Sequence, residues 1–203
     1  TMAMTPQGDI LAIEGYAADV GFPDLGAVPL AETRRPGWEP DTDVAVCELR
    51  YRDDEPLALC PRGALVRAVD GWRALGFEPQ LGFELELYVL EHDESAVGGW
   101  RPAGGEGQRV YGVGLGGDPT GLSLEFFDAV EAMEIGLEGV LTEFSPGQME
   151  INLSYGPAVA AADAAQLVKE MTREVAARRG YRATYLGRPD AMAVGSGLHV
   201  NFS

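Results

Sequence analysis

The chain of 203 residues is long enough to bury one substantial core without disulfides or metals to hold it. Its 46% hydrophobic and 23% charged residues exclude a disordered, collagen-like or coiled-coil chain. Thirty-two acidic residues against 15 basic ones leave a formal net charge of −17, a field that repels phosphate backbones and anionic lipids, so no nucleic acid and no membrane is expected as a partner.

Single residues narrow the classes further. Lys169 is the only lysine and no GxxxxGK[ST] surrounds it, which excludes a P-loop. Cys47 and Cys60 are too few for a disulfide framework and stand in no Cys/His cluster suited to zinc. Residues 1–13 lack the basic end and apolar run of a signal peptide, and no stretch approaches the roughly 20 apolar residues of a membrane span, so a cytoplasmic protein is expected.

In chain order, residues 1–43 are rich in Pro, Gly and Asp and carry no sustained period, which predicts loops with short extended pieces. Val44–Arg52 alternates as a strand. Pro61 opens a helix through Leu65, Val66, Val69, Trp72 and Leu75, with Gly76 as its stop. Phe83–Leu90 has strict period two and predicts a strand; residues 91–121 then form a long Gly-rich loop, with His92 as a solvated loop residue. Within it, Gly112–Gly117 fits GxGxxG, but Asp118-Pro119 follows and no helix opens there, so a mobile surface loop is expected rather than a dinucleotide site.

A helix is expected over Leu124–Leu137, then strands Glu138–Phe144 and Gln148–Ser154 joined by a turn at Ser145-Pro146-Gly147. Ala158–Arg179 predicts the clearest helix, striped by Leu167, Val168, Met171 and Val175 and stopped by Gly180; strands Tyr181–Leu186 and Leu198–Ser203 follow. Turns too short for parallel crossovers point to an α+β fold with a largely antiparallel sheet. Both ends read as cut, and the last strand runs to the final residue without a polar tail or cap, so the chain is expected to be a fragment of a longer one.

Period-two alternation sorts these strands into faces. Phe83, Leu85, Leu87 and Val89 share one side; Glu84, Glu86 and Tyr88 share the other, with the two carboxylates about 6 to 7 Å apart along the strand. Gln148, Glu150, Asn152 and Ser154 stand opposite Met149, Ile151 and Leu153, while His199, Asn201 and Ser203 stand opposite Leu198, Val200 and Phe202. In one sheet, these strands would gather Glu84, Glu86, Glu150 and His199 on one face, with Glu143 beside the turn. Such an oxygen-and-imidazole set without thiolate suits hard divalent ions, Mg²⁺ or Mn²⁺.

Four segments carry a family resemblance. Gly82-Phe-Glu-Leu-Glu-Leu-Tyr88, Glu143-Phe-Ser-Pro-Gly-Gln-Met-Glu150, Ala183-Thr-Tyr-Leu-Gly-Arg-Pro189 and Gly195-Ser-Gly-Leu-His199 resemble, in order and separation, the signature segments of the glutamine synthetase family, including members that join glutamate to amines other than ammonia. Weaker likeness runs upstream through Cys60-Pro-Arg62 to Pro23-Asp-Leu25. The resemblance implies a two-domain α+β fold, with a small β-grasp-like amino-terminal domain over residues 1–58 and the first part of a catalytic domain, mainly antiparallel sheet backed by helices, over residues 59–203.

It also implies site roles. Glu86, Glu143 and Glu150 would bind one metal ion, and Glu84 and His199 a second. Glu138, Leu153, Ser154, Tyr155, Asn201 and Ser203 would contact ATP, and Gly195 would touch glutamate; no general acid or base is indicated. Three departures stand out: Val194 where an Asn often holds glutamate, Asn201 where many members have a second histidine, and Arg188 for the usual lysine, which keeps the charge but changes its geometry.

The implied activity is an ATP-dependent ligase that makes a γ-glutamyl amide from glutamate and ammonia or an amine through γ-glutamyl phosphate, with two or more Mg²⁺ or Mn²⁺ ions and a ring-shaped homo-oligomer. Two other readings stay open: a non-catalytic relative with a binding or regulatory role, and a kinase on a related fold.

Overall fold

The computed structural model describes residues 3–4, 9–11, 25–51, 53–105, 109–189 and 193–203. Pro23 and Asp24, in the upstream segment of weaker likeness, lie outside the described residues.

The fold is organised around one long strand, β7 (Gln80–His92), whose core-side residues Leu85, Leu87 and Val89 are fully buried. Every partner of β7 runs antiparallel to it. The strands β8 (Trp100–Pro102), β10 (Gln148–Leu153) and β11 (Gly156–Pro157) line one edge; β12 (Tyr181–Thr184) and β13 (Leu198–Phe202) line the other, since each overlaps in register with a strand of the first set. Beyond β10 lies β9 (Leu137–Thr142), completing an antiparallel seven-stranded sheet. Outside it, among the described residues, three short antiparallel pairs precede α1 (Pro61–Ala74): β1 (Ala3–Met4) with β2 (Ile10–Leu11), β3 (Gly26–Pro29) with β6 (Cys47–Arg50), and β4 (Arg35–Pro36) with β5 (Asp43–Val44). The strand expected over Val44–Arg52 is therefore two strands separated by a break after Val44.

Among the described residues, three α-helices accompany the sheet: α1 (Pro61–Ala74), α2 (Leu122–Ala132) and α3 (Ala158–Arg178). Leu122, Phe126 and Val130 of α2 and Leu167, Val168, Met171 and Val175 of α3 pack with Leu85, Leu87, Val89, Met149 and Ile151 in one core. Helix α1 packs on α3 through a bidentate ion pair, Arg62 Nε to Asp163 Oδ1 at 2.9 Å and Arg62 Nη2 to Asp163 Oδ2 at 3.0 Å. Among the described residues, no helix is long and apolar enough to cross a membrane.

Two expectations shift. Helix α2 starts at Leu122 and ends at Ala132, not Leu137, because Glu134 takes a left-handed conformation (φ 55°) that breaks the helix and returns the buried Ile135 to the core. Its start is set by the fully buried Asp118, whose carboxylate accepts from Thr120 N–H (2.9 Å) and Ser123 N–H (2.8 Å). The long Gly-rich segment contains β8, so His92 ends a strand and sets its ring edge-on to Trp100 at 5.5 Å. The GxGxxG stretch opens no α-helix; it folds back on itself and onto β9, with Arg109 N–H bonded to Gly117 O at 3.1 Å and Tyr111 N–H to Thr142 O at 2.9 Å.

Candidate metal and nucleotide site

Antiparallel register sets opposed residues side by side on one face, about 5 Å apart. On the face of β7 away from the core, this makes cross-strand rows. Asn152 of β10 stands opposite Glu84 of β7, which stands opposite His199 of β13. One row along, Glu150 stands opposite Glu86, whose N–H donates to Gly197 O at 3.2 Å. The next row holds Gln148 and Tyr88.

The turn feeding β10 fixes this register. Gln148 N–H closes it onto Ser145 O at 3.0 Å, with Pro146 at its second position and Gly147 (φ +73°) at its third, the arrangement of a type II turn. A side chain at Gly147 would lie 2.5 Å from Val89 O, so glycine is required twice over.

The ladder's carboxylates and imidazole converge. Atoms of Glu84, Glu150 and His199 lie within 4.8 Å of one another. His199 Nδ1 is 2.6 Å from Glu84 Oε2, and His199 Nε2 is 3.9 Å from Glu86 Oε1. Asn201 Nδ2 donates to Glu84 Oε1 at 2.9 Å. The bonds from Asn201 and His199 hold the Glu84 carboxyl below its ordinary range, and the bond to Glu84 raises the His199 imidazole. Glu143 is buried; burial first, then the charges of Glu150 and Glu86, push its carboxyl up.

Glu150 is therefore shared. The register sets it opposite Glu86, its charge reaches Glu143, and its oxygen joins the trio with Glu84 and His199.

The donor chemistry suits a hard divalent cation. Asn152 Nδ2 donates to Glu150 Oε1 at 3.0 Å, yet the buried Asn152 Oδ1 has no hydrogen-bond partner, an acceptor available to an incoming group. Gly197 keeps a space open: a Cβ there would lie 2.7 Å from His199 Nε2 and 2.8 Å from Glu86 Oε1. Several carboxylates facing one another around a space without a cation carry repulsion that a bound cation relieves.

Beside the trio is a cavity of about 300 Å³ lined by Gly82, Phe83, Glu84, Glu138, Asn152, Leu153, Tyr155 and Asn201. It brings Glu138, Leu153, Tyr155 and Asn201 together next to Glu84. Ser154 and Ser203 do not line it: Ser154 N–H bonds Gly136 O, and the Ser203 main chain pairs with Gln80. Gly195 lies near Glu86, its carbonyl accepting from Gln148 Nε2 at 3.1 Å. Val194 is exposed, and Arg188 donates to Ala193 O at 3.1 Å. Gln148, Asn152 and Gly197 carry no role in the sequence reading, although Gln148 and Asn152 share the period-two face of Glu150 and could have been drawn from that alternation.

Residues 58–203 match the family described as glutamine synthetase, catalytic domain. The chain belongs to the glutamine synthetase family. It is 31% identical to a glutamate–isopropylamine ligase of Pseudomonas sp, over 91% of this chain and 41% of that protein. It is 28% identical to the gamma-glutamylputrescine synthetase PuuA of Escherichia coli (strain K12), over 99% of this chain and 45% of that one. A solved structure of a novel glutamine synthase homolog superposes with a TM-score of 0.74 at 26% identity, covering 91% of this chain and 42% of its own. The chain thus spans less than half the length of these relatives.

Proposed function

We propose that this chain is part of an ATP-dependent ligase that joins the γ-carboxylate of glutamate to an amine, with residues 59–203 as the opening part of its catalytic domain and residues 1–58 as a small β-grasp-like domain. The observation that carries this is the ladder of Glu84, Glu86, Glu150 and His199 set beside a cavity of about 300 Å³. On this reading Glu84, Glu86, Glu143, Glu150 and His199 hold two or more Mg²⁺ or Mn²⁺ ions, and the cavity receives ATP between Phe83, Glu138, Leu153, Tyr155 and Asn201. Such ions, when bound, offset the charge on phosphoryl oxygens, the task a P-loop lysine performs elsewhere.

A γ-carboxylate oxygen of glutamate forms a bond to the γ-phosphorus of ATP, and ADP leaves. The amine nitrogen then bonds the activated carbonyl carbon, inorganic phosphate leaves with the C–O bond, and the amine loses a proton. The chain's own residues hold the reactants in line. The net charge of −17 and the acidic ladder also draw in a cationic amine. Relatives are named for isopropylamine and putrescine, which favours an organic amine over ammonia for this chain too. Val194 and Asn201 fit the same divergence. A ring-shaped homo-oligomer in the cytoplasm completes the reading.

The test is an amine panel with the protein at its full natural length, following phosphate release and the γ-glutamyl product. Phosphate release that requires both glutamate and one amine class is the expected result. No release with any amine in a broad panel, ammonia included, would overturn the ligase reading.

A further inference from the structure

We infer that Gln148 is a positioning residue: it orients the Glu86 carboxylate and ties it to the 194–197 loop. Gln148 is fully buried. Its Nε2 donates to Glu86 Oε2 at 3.1 Å and to Gly195 O at 3.1 Å, while its Oε1 accepts from Ser145 N–H at 3.3 Å. Two acceptors on the nitrogen side and a donor on the oxygen side define which way the amide faces.

The main chain holds the side chain where it is. Gln148 closes the type II turn through its N–H, and its carbonyl accepts from Glu143 N–H at 2.9 Å. Position 148 is therefore pinned at both ends of a tight turn, and its side chain has little freedom to follow a moving partner. Neighbouring bonds fix the loop from the other side: Tyr88 OH donates to Val194 O at 2.6 Å, and Val194 N–H donates to Ser145 Oγ at 2.9 Å. The Glu86 side chain is only 12% exposed, so water contributes little to orienting it. A charge-assisted bond from a rigid amide sets which oxygen faces His199, Oε1, and which is held back, Oε2.

The inference rests on the metal-site reading above, with Glu86 as a ligand. Gln148→Met keeps the volume and removes the amide; Tyr88→Phe removes a different side-chain bond to the same loop and leaves Glu86 alone. Mn²⁺ affinity, measured by EPR titration on the protein at its full natural length, should fall about 10- to 100-fold in Gln148→Met and stay within about threefold in Tyr88→Phe.

A residue acting only on the fold would lower the melting temperature of both variants and shift their Mn²⁺ affinities alike. Equal losses in the two variants, or no loss in Gln148→Met, would overturn the inference and leave the metal site standing. Absence of Mn²⁺ binding by the unaltered protein would overturn both. Should Gln148→Met not fold, Gln148→Asn, which withdraws the amide by one methylene, is expected to give the same selective loss and is read by the same criteria.

Discussion

Gly197→Ala tests whether the space between His199 and Glu86 is kept open for a ligand. The added Cβ would meet His199 Nε2 at 2.7 Å, Glu86 Oε1 at 2.8 Å and His199 Cε1 at 3.2 Å, where ordinary contact begins at 3.4 Å. Both side-chain tips must therefore withdraw by about 0.6 Å or more, roughly three times the ~0.2 Å by which metal–ligand distances vary.

The fold has cheaper options. The obstructing atoms are ends of side chains, not backbone, and Gly197 does not occupy the left-handed region. Displacing the two side chains costs about 1 kcal/mol in rotamer strain, and the reduced freedom of the unfolded chain returns about 0.4 to 1 kcal/mol. The expected outcome is an almost unchanged melting temperature with Mn²⁺ affinity lowered about 10-fold or more, read by isothermal titration beside thermal unfolding. Unchanged affinity would show that the space at Gly197 is incidental to the site. A large stability loss would show that the loop cannot yield as the geometry says.

Other perturbations separate fold from site. Asp163→Ala leaves Arg62 without its partner between α1 and α3, and a loss of about 3 kcal/mol in urea unfolding is expected, the low end for such pairs because Arg62 keeps some water contact. Phe126→Ala opens a cavity under the sheet and should cost about 3 to 5 kcal/mol by the same measurement. Glu143→Gln should stabilise the metal-free protein at neutral pH. The folded-state pKa of Glu143 is raised, so its destabilising contribution is absent below the unfolded-state value and fully present above the folded one; the stabilisation by Gln must shrink as pH falls through that window. Melting temperatures of both proteins from pH 4 upward check this, and a difference that grows on acidification would contradict it.

Much of this architecture is legible in local sequence because punctuation and period agree. Pro61 at the start of α1, Gly180 after α3 and the Pro146-Gly147 turn are residues whose own backbone preferences demand what the fold does there, and these boundaries fall within a residue or two of expectation. Where the deciding interaction is distant, local reading fails. Met133, Ile135 and Leu137 continue an apolar pattern past α2, but tertiary packing draws Ile135 back into the core through a left-handed residue. Trp100–Pro102 has neither length nor period to mark a strand; it is one because the exposed end of β7 offers it partners. Tyr88 alternates onto the polar face as its position requires, yet is fully buried, its hydroxyl donating to the Val194 carbonyl more than a hundred residues away.

The site divides along the same line. Alternation alone puts Glu84, Glu86, Glu150 and His199 on like faces of three strands, since side-chain direction has period two and needs no knowledge of partners. Which carboxylate faces which needs the register, and register is a long-range quantity: a slip of two residues in β10 would keep every face and break every row. Glu150 shows the consequence. Opposite Glu86, within reach of Glu143 and close to Glu84 and His199, it stands beside members of both sets that the family resemblance implies. The glycine and glutamine of Pro146-Gly147-Gln148 are where the two kinds of information meet: one makes the turn that sets the register, and the other spends its side chain holding Glu86 in the row that the turn creates.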